Sequence, residues 1–247
     1  MSSGAHRARR WLVVALALAA AVSLQAAPPT PADERLLAAS DPFARAPSSF
    51  RAELVVTAGK RTLRLEVYRH GGDRALVRFL DPAERGKFLL RQGRQVWFLA
   101  PGSRRPLRMG PGHRLAGASL DELVGLRLAT SYAIGSVEQG EFLVTFDLEA
   151  RDADVPFARA RHVVRRVLGL PLRTDLQAAD GRVLRVVEYP AWRNEAELVP
   201  ERVVVKDLVR RGPPVEVRFL SVEAEALPDA LFDPDDPSER DRRFAAR

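Results

Sequence analysis

Four histidines are the first candidates for chemistry, and none has the company it would need. His6, His70, His113 and His162 lack a neighbouring histidine or carboxylate at the spacing a metal site requires. The chain has no cysteine, which excludes thiol nucleophiles, thiolate-held zinc or iron–sulfur clusters, disulfides and an acylated N-terminal cysteine. Ser48, Ser49 and Ser131 stand outside any G-x-S-x-G turn, and no glycine-rich phosphate loop opens a helix. Asp152, Asp154 and Asp180-Gly181 lack the spacing of an EF-hand and read as turn residues. Paired carboxylates for glycoside hydrolysis meet in space rather than along a chain, so a hydrolase stays open as an alternative. Nothing positive points to catalysis. The expectation is a protein that is not an enzyme, with no metal and no cofactor.

Arginine is the other abundant reactive type. The 39 basic residues face 32 acidic ones, giving a formal charge of +7, and only Lys60, Lys87 and Lys206 are lysines. Arg104, Arg105, Arg108 and Arg114 cluster in one glycine- and proline-rich stretch, and Arg159, Arg161, Arg165 and Arg166 in one strand region. Such groups form a solvated face, or draw anionic headgroups or an acidic partner. Nucleic acid ranks last, because basic residues are not interleaved with aromatics and the chain carries an export signal.

That signal is Arg7, Arg9 and Arg10 followed by an apolar run from Trp11 to Val22 and by small residues and prolines. This is the layout of a cleaved secretory peptide, with cleavage expected after Ala26, and the run is short of the ~20 residues that span a bilayer. Its loss takes three arginines and lowers the charge from +7 to +4. We therefore expect residues 1–26 as signal peptide, 27–232 as one domain, and 233–247 as a charged, disordered tail.

The elements that would position any site follow from periodicity. Thr30-Pro31 with Asp33 and Glu34 starts a short helix that Asp41-Pro42 stops. From Phe50 onward apolar residues alternate, as at Leu63, Leu65 and Val67 or at Phe142, Val144 and Phe146, with short turns such as Asp180-Gly181 between the runs. Ser119-Leu120-Asp121-Glu122 is a capping box predicting a helix through about Leu128, with Leu120, Leu123 and Val124 on its apolar side. Pro101–Gly117 reads as a mobile loop. The sum is a mainly β (α+β) chain: a curved antiparallel sheet of about ten or eleven strands with covering helices.

Asp81-Pro82-Ala83-Glu84-Arg85-Gly86-Lys87-Phe88-Leu89-Leu90, then Val96-Trp97-Phe98-Leu99-Ala100-Pro101 and the basic Arg104-Arg105-Pro106-Leu107-Arg108, form a distinctive sequence. With Pro228-Asp229-Ala230-Leu231-Phe232 after the last strand, this resembles the LolA-like outer-membrane lipoprotein-sorting proteins of Gram-negative bacteria. Where that family carries a Met-Gly-Ser-Asp-Phe type segment, this chain reads Leu115-Ala116-Gly117-Ala118-Ser119-Leu120-Asp121-Glu122.

The resemblance implies an incomplete β-barrel whose concave face is covered by helices and takes acyl chains. It implies a monomeric periplasmic carrier of lipoproteins or another lipid, with an inner-membrane transporter and an outer-membrane acceptor as partners. A single curled sheet needs its concave face filled in any case, and each buried methylene is worth about 0.8 kcal/mol. The residues expected to line the cleft are Leu63, Leu65, Val67, Phe88, Leu90, Trp97, Leu99, Phe142, Val144 and Phe146. Leu120, Leu123 and Val124 would form the lid, and Arg104, Arg105 and Arg108 would meet the headgroup or partner. The alternative is an envelope sensor or adaptor that uses the same fold to bind a protein.

Overall fold

Alternating sequences become one very wide sheet. The computed structural model describes residues 28–244 apart from 102, 104, 111–113, 116, 195, 198 and 211, so the expected signal peptide lies outside the described residues. Helix α1 (Pro31–Ser40) starts at Thr30, whose hydroxyl accepts from the Asp33 amide while the Asp33 carboxylate accepts from the Thr30 amide. Six strands follow: β1 (Ser49–Ala58), β2 (Arg61–His70), β3 (Arg74–Phe79), β4 (Phe88–Gln92), β5 (Gln95–Leu99) and β6 (Leu107–Met109). A small ribbon, β7 (Arg114–Leu115) with β8 (Ala118–Ser119), leads into helices α2 (Leu120–Val124) and α3 (Leu128–Ser131). The chain then makes β9 (Tyr132–Gln139), β10 (Leu143–Ala150), β11 (Arg159–Arg165), β12 (Pro171–Gln177), β13 (Val183–Asn194), β14 (Val199–Asp207) and β15 (Val215–Ala224). Helix α4 (Ser238–Phe244) ends the described chain.

Thirteen of these strands form one antiparallel sheet in the order β6-β5-β4-β3-β2-β1-β15-β14-β13-β12-β11-β10-β9. The long-range step is β1 beside β15, with Leu54 opposite Phe219 and Val56 opposite Val217. It joins the two meanders into one surface. The edges, β6 and β9, do not pair with each other, so the sheet curves without closing into a barrel.

One face of this sheet is the main core. Leu54, Val56, Leu63, Leu65, Val67, Val77, Leu89, Val144, Phe146, Val187, Val205, Val217 and Phe219 are buried in a single apolar cluster. Its cover comes from α1 through Leu37, from Phe43, and from Leu120, Leu123, Leu126 and Leu128.

Three expectations change. The helix foreseen through Leu128 is two short ones, because Gly125 takes φ +101°, a conformation that a side chain resists. The stretch foreseen as a mobile loop contributes β6 and β7. Of the tail foreseen as disordered, residues 233–244 fold back over the second face of the sheet, and α4 brings Phe244 within 5.3 Å of the Phe88 ring and 5.5 Å of Tyr68.

Candidate functional site

The inner face of the sheet and the helices on it form the candidate site. Leu63, Leu65 and Val67 of β2 and Val144 and Phe146 of β10 all lie on that face, buried beneath the cover. Leu120 and Leu123 of α2 face them from above, while the side chain of Val124 lies outside the described residues.

Four of the expected lining residues are on the wrong side. Phe88, Leu90, Trp97 and Leu99 pack on the outer face with Tyr68, Leu76, Leu227, Leu231 and Phe232. The reason is register: Val77 of the inner face pairs with Leu89, so Phe88 and Leu90 point away from it. Phe88-Leu89-Leu90-Arg91 is apolar on both faces and puts an arginine inside, so alternation alone gave no direction. Phe142 is also misplaced. It precedes β10 in an exposed turn, 70% accessible. Arg105 and Arg108 are exposed near the β6 edge, and Arg104 lies outside the described residues.

The cover is held by polar contacts that sequence reasoning missed. Arg91 of β4, almost wholly buried, donates to the Asp121 carboxylate of α2 at 2.7 Å and to Gly72 O at 3.3 Å. The adjacent Glu122 forms a buried ion pair with Arg185 of β13, whose Nη2 lies 2.7 Å from Oε2. Arg185 also reaches Gly117 O and, at 3.5 Å, Asp207, which in turn binds Arg114 of β7. Burial pushes Glu122 upward from the usual carboxylate range and Arg185 downward, while each partner's charge opposes that shift. Five strands separate β4 from β13, so these two pairs pin α2 across the hollow of the sheet.

Asp41 fastens the other helix. As C-cap of α1 it also accepts from the Leu128 and Ala129 amides, at 3.0 and 3.5 Å, at the start of α3. Burial raises this carboxyl to about 7, against the pull of those amides and of Arg69. Arg69 stacks over Phe43 and Phe50 at 5.6 and 5.8 Å, and desolvation lowers it to about 10. Gly125 packs here too: a Cβ would sit 2.9 Å from Pro42 O.

His162 ties α1 down. The Ser40 hydroxyl donates to Leu37 O at 2.8 Å, which leaves its oxygen to accept from His162 Nε2 at 3.2 Å and His162 Nδ1 to accept from Thr174 at 2.8 Å. Complete burial lowers His162 to about 3, so the ring is neutral at physiological pH. This hydrogen-bonded chain is a buried fastening between β12, β11 and α1. Among the described residues no three His, Asp or Glu are placed to hold a metal ion. None of the described helices is long and apolar enough to cross a membrane.

A family model described only as an uncharacterized protein matches residues 71–236. No curated protein matches the sequence. Among solved structures, the fold is similar to that of a LolA superfamily protein from Nitrosomonas europaea, with TM-score 0.66 and 21% identity over 77% of this chain and 92% of that one. A putative outer membrane lipoprotein-sorting protein domain from Vibrio parahaemolyticus gives 0.62 at 13% identity, covering 81% and 94% of the two chains. A DUF1329 family protein from Desulfovibrio piger gives 0.62 at 16%, covering 81% and 93%. The fold is therefore LolA-like: an open, curved antiparallel sheet under a helical cover.

Proposed function

Because this chain belongs to the family of uncharacterized proteins matched over residues 71–236 and has a LolA-like fold, we propose that it is a carrier of acylated cargo. The cargo's acyl chains lie between the inner face of the sheet and the α2–α3 cover, and the protein works in the periplasm, moving lipoprotein or lipid toward the outer membrane. The observation that carries this reading is the contrast between the two kinds of contact under the cover. The inner face is apolar over most of its strands, interrupted by the buried Arg91, His162, Thr174 and Arg185, whereas α2 and α3 are anchored by a few discrete pairs, Arg91–Asp121, Arg185–Glu122 and Asp41 with the α3 amides. Apolar surface is non-directional and accepts an acyl chain as readily as a leucine. In this closed form Phe43, Leu120, Leu123 and Leu126 occupy the place of the cargo, so loading displaces them.

Such a carrier needs no catalytic group, and on this reading the protein is not an enzyme. Native mass spectrometry of the chain purified from a Gram-negative host tests it. Co-purified phospholipid or triacylated peptide supports the carrier. A clean apo mass, with no displacement of a hydrophobic fluorescent probe by lipid, contradicts it.

The filled interior favours a second reading, in which the cover never lifts and the fold serves as an envelope adaptor for a protein partner. The same experiment separates them, since an adaptor retains neither lipid nor probe.

A further inference from the structure

Two turns at one end of the sheet expose apolar residues side by side. The turn before β10 presents Phe142, 70% exposed, and the first residue of β10 is Leu143, 41% exposed. The turn between β11 and β12 presents Val167, 89% exposed, and Leu168, 42% exposed. They are neighbours in space: the Arg166 amide donates to Phe142 O at 2.9 Å, its guanidinium donates to Gly140 O at 3.3 Å, and Leu143 pairs with Arg165 in the ladder. Arg45 completes the group, because a Cβ on Gly169 would meet its Nη2 at 3.1 Å. Arg45, Arg165 and Arg166 form no ion pair among the described residues, and the two turns contribute one acid, Glu141.

We propose that this pair of hairpin tips is a docking wedge for an anionic phospholipid bilayer. Four exposed apolar side chains at the two turns can enter the headgroup–acyl boundary, and the three arginines beside them, which form no ion pair among the described residues, match phosphate in charge and in fork geometry. A protein partner fits less well. Stable protein interfaces bury about 800 Å² per side, more than four side chains at two turns provide. The fold supplies rigidity, since both tips are held by ladder and turn hydrogen bonds, so little order is lost on docking. This surface lies outside the inner face and its cover, and it can be tested without any cargo.

The test is flotation of the purified chain with vesicles of phosphatidylglycerol and phosphatidylcholine, and with phosphatidylcholine alone. Binding is expected only to the anionic vesicles and is expected to weaken as salt rises. Phe142→Ser with Val167→Ser, and separately Arg165→Gln with Arg166→Gln, should each weaken it at least about tenfold while circular dichroism stays unchanged. Leu208→Ser with Val209→Ser, at exposed positions on the opposite end of the sheet, should leave it intact. In Phe142→Trp the tryptophan emission should shift to the blue when vesicles are added. Failure of the parent chain to float overturns the proposal. So does equal loss in the Leu208/Val209 variant, or a self-associating parent chain that the Phe142/Val167 variant makes monomeric.

Discussion

Asp41 is the C-cap of α1 and its carboxylate accepts from the first amides of α3, so it sits at the seam of the cover. An unfolded aspartate ionises near 3.8 and the native one only near 7. Between those values unfolding releases a proton, and stability therefore falls as pH rises from about 4 to 7 and stays at the lower level above that range. Asp41→Asn keeps an acceptor for the α3 amides without the buried charge. We expect it to raise stability at pH 8 by roughly 1–3 kcal/mol, to change little at pH 4, and to flatten the profile between, as read by thermal melts across pH. Glu122 and Arg185 behave differently, because each neutralises the other in the core. Glu122→Gln or Arg185→Met alone leaves one buried charge unpaired and should cost about 3–5 kcal/mol in denaturant melts, while Glu122→Leu combined with Arg185→Met should recover much of that loss. At this scale the sequence was legible only locally. Ser119 and Glu122 were readable as a capping box because the motif spans only four consecutive residues. The partners that make Asp121 and Glu122 anchors stand 30 and 63 residues away, and no local pattern reports a contact of that range.

Strands and helices were more legible as elements than in the direction they face. α1 begins at the capping residues the sequence marks and ends where Asp41-Pro42 stops it. The hairpins follow their turn residues, as at Asp180-Gly181 between β12 and β13. The facing of β4 and β5 was not readable, because a strand apolar on both sides has no period to detect, and the second cover lies far along the chain at Leu227–Phe244. That cover corrects the tail: a charged segment with one phenylalanine and two buried neighbours is enough to cap Tyr68, Phe88 and Leu90. Truncation before Ser238 should lower the melting temperature and increase binding of a hydrophobic dye, as the outer cluster is uncovered. Phe244→Ala should do the same more weakly, by about 1–3 kcal/mol. Gly125 is the corresponding weak point of the inner cover. Gly125→Ala must adopt φ near +101° and press on Pro42 O, so we expect a loss of about 1–3 kcal/mol together with faster amide exchange in α2 and α3.

At the scale of the whole molecule, a thirteen-strand sheet open at both edges makes a hollow that its own helices fill. The broad architecture was readable from alternation, turns and composition, since they left few other ways to bury so many half-apolar strands. Whether the hollow is core or cargo site is a question of energy rather than pattern, because the leucines that fill a core are also those an acyl chain would pack against. On the carrier proposal, acyl chains replace the cover's apolar contacts in kind, and the three polar anchors must part. Amide hydrogen exchange at Leu128 and Ala129, whose N–H groups bind Asp41, reports that parting directly. With a triacylated lipopeptide bound, we expect these two amides and the rest of α2–α3 to exchange faster while the β1–β15 ladder keeps its protection. Unchanged exchange in the cover at a lipopeptide concentration that saturates the protein would contradict the account.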